Sequence, residues 1–208
     1  MRYNFILLFL IHIAIPGTGS VRAFEPSDLQ QRLQAIHIIR GSFSQEKFLR
    51  SLDSPLRYWG SFTLVNGEGL LWHIRFPIAH TLRITPKGVD RLAPLPPTAS
   101  SPNSFKWISS HSKNRETQLF LDVLKGNMVE LQKRFNLALT GQPQDWQLTL
   151  TPKSALLRQI FNKIKITGGE TISKIELYET QGDYTVITFS HLTFTEQLTT
   201  EEQYAFKH

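Results

Sequence analysis

The sequence predicts a mainly β protein with helices, an α+β domain whose curved antiparallel sheet forms an unclosed β-barrel, or half-barrel, lidded by helices. Three observations carry this prediction. The first is period-2 alternation: Tyr58, Gly60, Phe62 and Leu64 alternate with Trp59, Ser61, Thr63 and Val65, and Leu70, Trp72, Ile74 and Phe76 with Leu71, His73 and Arg75. Alternation of this kind marks strands with one apolar and one more polar face. The second is that these runs follow one another with almost no loop between them, the spacing of hairpins. The third is a set of inserted helices whose apolar stripes need a partner, for which the concave face of the sheet is the natural one.

The chain opens with Met1 and Arg2, continues with an apolar run over residues 5–15, and breaks at Pro16 and Gly17 before Val21-Arg22-Ala23. This is the layout of a secretory signal peptide, with Val21 and Ala23 at the small-residue cleavage positions. The expected organisation is therefore a signal peptide over 1–23 and one exported domain over 24–208. The roughly 185 residues after Ala23 suffice for a single hydrophobic core. There is no cysteine, which excludes a disulfide scaffold, thiolate metal sites and acylation on an N-terminal cysteine. The formal charge is +6, from 23 Lys+Arg against 17 Asp+Glu, a mild excess suited to anionic headgroups or acidic partner surfaces. The basic residues are scattered, so no nucleic-acid partner is expected.

Along the mature chain, Ser27-Asp28-Leu29-Gln30 reads as a capping box. Leu29, Leu33 and Ile36 then make one stripe of a helix over about 28–37. Strands are expected over 39–49, 57–66, 69–76, 79–86 and 89–94, with an Asn66-Gly67 turn and a Lys87-Gly88 turn between hairpin arms. The four prolines of residues 94–104 forbid a regular element there. Asn114 starts a helix carrying Leu119, Phe120, Val123 and Leu124 on one side and ending at Gly126, and Asn127 caps a second helix through Arg134. Strands resume at 135–140 and 146–151, a helical turn covers 154–161, and three strands close the chain at 163–167, 172–179 and 184–194. The total is about ten strands.

Catalytic equipment is missing. There is no Gly-x-Ser-x-Gly elbow and no His-Glu-x-x-His helix. Ser44-x-x-Lys47 and Ser110-x-x-Lys113 match a Ser-x-x-Lys pattern without its companion motifs, and alternation puts Ser44 and Lys47 on opposite faces of one strand. His73 and His191 sit among apolar neighbours and read as hydrogen-bonded structural groups. Gly168-Gly169 reads as a turn, not a phosphate cradle. No catalytic residue, metal or cofactor is expected.

Gly41-x-Phe43-x-Gln45, then Gly60-x-Phe62, then Leu70-Leu71-Trp72 and Pro77, and later Trp146 to Lys153 with its Leu-Thr-Pro-Lys ending, occur in an order and spacing that resembles the outer-membrane lipoprotein carrier proteins of Gram-negative bacteria, the LolA-like family. The resemblance runs from about Ser27 to Phe194. It implies an apolar cavity that receives the acyl chains of a lipoprotein or other lipid-like cargo from an inner-membrane donor transporter. It implies delivery to an outer-membrane acceptor, a periplasmic location and a monomeric, non-catalytic carrier. Counted back from Trp72, the family's lid-holding arginine and the proline after it fall on Asn66 and Gly67, so that role does not carry over. Arg57, Arg75 and Arg83 are the alternative arginines. On the expected faces, Phe43, Tyr58, Phe62, Leu64, Trp72, Ile74, Leu82 and Ile84 form the sheet side of the apolar cavity, and Leu119, Phe120, Val123 and Leu124 the lid side. The competing reading is a sensor or interaction module built on the same half-barrel.

Overall fold

Alternating apolar positions along successive hairpins leave one solution for burying them, a single sheet curved over its apolar face. The computed structural model describes residues 23–94, 105–110 and 115–207. Residues 1–22 of the expected signal peptide, the proline-rich stretch beyond Pro94, Lys113 and Asn114, expected to start a helix, lie outside the described residues.

Strands β1 (Ile38–Phe48), β2 (Leu56–Val65), β3 (Gly69–Phe76), β4 (His80–Thr85), β5 (Gly88–Pro94) and β6 (Phe105–Ser110) form a first meander. Strands β7 (Phe135–Gln142), β8 (Asp145–Pro152), β9 (Phe161–Gly168), β10 (Ile172–Glu179) and β11 (Tyr184–Thr195) form a second. The order is β6-β5-β4-β3-β2-β1-β11-β10-β9-β8-β7, antiparallel throughout. The first and last strands of the chain thus meet at the middle of one unclosed, eleven-stranded sheet with β6 and β7 at its edges.

Among the described residues five helices accompany the sheet: α1 (Pro26–Gln34), α2 (Arg115–Leu124), α3 (Met128–Arg134), α4 (Ala155–Arg158) and α5 (Thr200–Lys207). α2 packs against β4 and β5, and α3 packs against α1, α2 and β7. The core lies between these helices and the concave face. It joins Leu29 and Leu33 of α1 to Leu119, Leu121 and Val123 of α2, and to inward residues of the sheet such as Phe43, Trp72, Leu148 and Ile175. Gly126 closes α2 at φ +62, and a Cβ there would lie 2.8 Å from Leu33, so glycine serves both the left-handed turn and the close approach of α1.

Several elements differ from the sequence expectation. α1 is capped by Glu25 and Asp28, which exchange hydrogen bonds, with Pro26 at the first helical position. Ser27 and Gln30 are not the capping pair, because the helix begins two residues earlier. The Gln30 amide oxygen instead accepts from the backbone N–H of Met128 at 3.0 Å, joining α1 to α3. The Asn66-Gly67 turn forms with a three-residue loop, Val65 facing Gly69 and Gly67 at φ +85. Among the described residues there are eleven strands, where about ten were expected. β6 escapes notice because it is a short edge strand whose pattern follows directly on a proline-rich stretch. α5 is a second addition: Thr199 and Glu202 form a reciprocal cap, the Thr199 N–H donating to Glu202 Oε2 at 2.9 Å and the Glu202 N–H to Thr199 Oγ1 at 3.2 Å. Thr199-x-x-Glu202 was the sequence signal for that helix.

Candidate functional site

The sheet's concave face has two unlike halves. On β1 to β4, inward positions carry aromatic rings, and the rings meet. Phe43 stacks on Trp72 with centroids 3.7 Å apart, and Phe62 meets Phe189 of β11 edge-on at 5.2 Å. Phe120 of α2 closes on Trp72 at 5.7 Å and 86°. Phe43, Phe62, Leu64, Trp72 and Ile84 are buried there, with Tyr58, Ile74 and Leu82 half-buried against them. The gap left between Phe62, Leu64, Leu124 and Phe189 is about 10 Å³, room for one water at most.

On β9 to β11 the inward positions are mostly aliphatic, and α2, seated over β4 and β5, overhangs them without filling the space. The result is a cleft of about 220 Å³. Leu119, Phe120 and Val123 form its helix wall, and Phe161, Ile164, Ile175 and Leu177 its sheet wall, with Ile160, Lys47, Glu179 and Thr185 completing it. All twelve candidate residues therefore fall in or against one apolar cluster. Three of them, Leu119, Phe120 and Val123, also line the open cleft. Sequence reasoning left out the β9 to β11 wall. The signal is the alternation of Ile164, Ile166, Ile175 and Leu177, an aliphatic pattern weaker than the aromatic one of the first meander.

The lid helices are held by polar contacts at their ends. Asp122 of α2, buried, pairs with Arg134 of α3 and accepts from Gln118 at 3.2 Å. On α1, the Arg32 guanidinium donates to the carbonyls of Pro143 (2.6 Å) and Gly169 (3.2 Å), in the β7–β8 and β9–β10 turns. From the opposite side, Asn66 Nδ2 donates to the Gln34 carbonyl at the end of α1 at 2.8 Å. The arginines named as alternatives are engaged elsewhere or turned outward: Arg57 pairs with Glu46, Arg83 with Asp90, and Arg75 is exposed.

The convex face carries a register row, Arg40–Thr63–Leu71–Arg83–Asp90, running across β1 to β5. α5 lies over it. Glu202 accepts from Arg40 Nε at 2.7 Å and Thr63 Oγ1 at 2.8 Å, and Arg83 donates to the Ala205 carbonyl at 2.6 Å. Leu71, midway along the row, is buried although it faces outward. The hydrogen bond from Arg40 holds the Glu202 carboxyl down to about 2, and the same contact raises Arg40. His73, hydrogen-bonded to Thr81 Oγ1 at 3.0 Å, has its pKa lowered by burial. Among the described residues no group of three His, Cys, Asp or Glu side chains gathers to hold a metal ion, and no helix is long and apolar enough to cross a membrane.

A curved open sheet with helices over an apolar interior defines a class of protein built around a hydrophobic chamber. The model of the family described as outer membrane lipoprotein carrier protein LolA-like matches residues 18–189, most of the chain. The chain belongs to that family. A comparison with curated proteins finds no match. Among solved structures, a LolA superfamily protein from Nitrosomonas europaea is similar at 9% identity and TM-score 0.44, covering 88% of this chain and 98% of that one. A DUF1329 family protein from Desulfovibrio piger gives 13% identity and TM-score 0.44, covering 84% and 93%. A chain of the Pseudomonas aeruginosa MucA/MucB complex gives 12% identity and TM-score 0.47, covering 84% of this chain but 57% of that one.

Proposed function

We propose that this protein is a non-catalytic periplasmic carrier that shelters the acyl chains of a lipoprotein or other amphiphile and ferries it from the inner to the outer membrane. In this reading residues 1–23 are a signal peptide removed on export, and 24–208 form the carrier domain. A donor transporter in the inner membrane and an acceptor at the outer membrane are its partners. Membership of a family described as lipoprotein carriers supports the class. The observation that carries the reading is the apolar cleft between α2 and β9–β11, walled by Leu119, Phe120, Val123, Ile164, Ile175 and Leu177. Each methylene sheltered there contributes about 0.8 kcal/mol, enough for useful affinity without a covalent bond. Larger cargo enters by displacing the lid helices from the packed aromatic half, which brings the remaining candidate residues from Phe43 to Ile84 into contact with it.

A second reading, a non-catalytic sensor or interaction module, is favoured by one feature. Trp59 and Phe76 stack at 3.9 Å on the outer surface while both stay more than a third exposed, next to Ile78 at 70% exposure.

Native mass spectrometry of the protein purified gently from periplasm, with lipid extraction of the same sample, separates the two. A stoichiometric adduct that releases an acylated protein or a lipid supports carriage. A clean apo mass together with failure to take up an acyl probe overturns it.

A further inference from the structure

The cleft is graded from apolar depth to charged lip. Ile175 at its floor is 1% exposed, and the cross-strand row outward of it runs Lys47–Thr185–Leu177–Ile164 over β1, β11, β10 and β9. Lys47 thus stands on the concave face, two positions beyond Gln45 and four beyond the core residue Phe43 on the same side of β1. The polar side chains of the lining are Lys47, Thr185 and Glu179. Lys47 Nζ and Glu179 Oε1 are 3.7 Å apart, beyond direct hydrogen-bond length, with side chains 37% and 29% exposed. An ammonium so loosely held keeps donors free for a second acceptor.

The cleft's volume limits what sits beneath it. At about 220 Å³ it lies below the usual ligand-pocket range of about 300–1,000 Å³. That suits the end of one chain better than three chains side by side.

We infer that the cleft takes a single-chain amphiphile with an acidic head, the chain lying between α2 and β9–β10 and the head anion on Lys47. This rests on the carrier reading and narrows its cargo. Carboxylate and phosphate heads share the chemistry, and both displace Glu179 from Lys47.

The test uses decanoate, decyl phosphate and the neutral decyl glucoside in titration calorimetry at pH 7.5, on the wild type and on Lys47→Gln, Lys47→Glu and Leu177→Trp. The acidic probes should bind the wild type about threefold to tenfold more tightly than the glucoside. Lys47→Gln should erase that preference and Lys47→Glu reverse it, while a longer chain gains about fourfold per methylene until the cleft is full. Whichever acidic probe wins assigns the head as carboxylate or phosphate. Equal affinity of acidic and neutral probes in the wild type, with Leu177→Trp blocking all three, overturns the head assignment and leaves the carrier reading standing. Failure of every probe to bind, or binding that the folded Leu177→Trp variant does not weaken, overturns the cleft as the cargo site and the head assignment with it. Circular dichroism of each variant certifies the fold.

Discussion

The two halves of the concave face are built on the same alternating pattern and end in opposite states. On β1 to β4, Phe43, Phe62 and Trp72 point inward within reach of Phe189 and Phe120, and five rings from five different elements interlock. On β9 to β11 the inward side chains that line the cleft are chiefly Ile and Leu, and an open space is left between them and α2. α2 could fill the second half only by leaving the first, and it packs on β4 and β5. The difference teaches that an apolar sheet face becomes core or chamber according to side-chain reach and helix placement.

That comparison can be broken most directly from the filled half. Trp72→Ala removes the ring that Phe43, Phe62 and Phe120 share and should cost about 3–5 kcal/mol in urea unfolding. Leu177→Ala, facing the open cleft, should cost about 1 kcal/mol. Equal costs would mean that both halves are packed alike. The next largest effect is expected in the lid. Arg134→Ala leaves the Asp122 carboxylate, with its side chain 6% exposed, without its guanidinium partner, at a cost of about 3 kcal/mol. Hydrogen exchange should then accelerate through α2 more than through β1 to β3. Arg32→Ala removes two bonds from α1 to the β7–β8 and β9–β10 turns and should lose about 1–2 kcal/mol. Its readout is faster exchange at Leu29 and Leu33 with β2 and β3 unchanged.

The smallest expected effect is on the convex face, and it depends on pH. The Glu202 carboxyl titrates at about 2 in the folded protein against its ordinary value of 4.5. A depressed carboxyl contributes stability that is complete above the ordinary value and fades as pH falls toward 2. Because solvent reaches the pair, that contribution is about 1 kcal/mol. Acid titration followed by NMR should show the α5 resonances shifting between pH 4.5 and 2, before the aromatic half of the core responds, and Glu202→Gln should abolish that early phase. Loss of the whole fold in one step, with α5 no earlier than the core, would show that the outer clasp is not a separate unit.

Much of the fold was legible residue by residue. Tyr58 to Val65 and Leu70 to Ile74 alternate so plainly that their facing follows, and the Asn66-Gly67 and Lys87-Gly88 turns sit where the hairpins turn. The alternation fails at Phe76, which a bulge after Ile74 turns to the outer surface against Trp59. The cap at Asn127 is also as read, its side chain accepting from the Glu130 N–H, while the short helix α4 adds a cap at Ser154 that accepts from the Leu157 N–H. Three features were less legible. α1 begins at Pro26 because Glu25 and Asp28 cap it as well as a serine would. β6 is short and borders a proline-rich stretch. The Thr199–Glu202 cap stands before a helix with only a weak apolar stripe, and that helix is held by the polar bonds from Arg40, Thr63 and Arg83.

By itself the sequence determined the strands, their faces and the apolar stripes of the lid helices, because backbone periodicity and turn chemistry act over a few neighbouring residues. It also placed Lys47 on the face opposite Ser44. The tertiary structure alone decided that β1 pairs with β11, that α2 leans over β4 and β5, and that Lys47 stands at the lip of an open cleft beside Glu179. Those outcomes depend on how side chains far apart in the chain fill one shared volume, and no local pattern encodes the space left over.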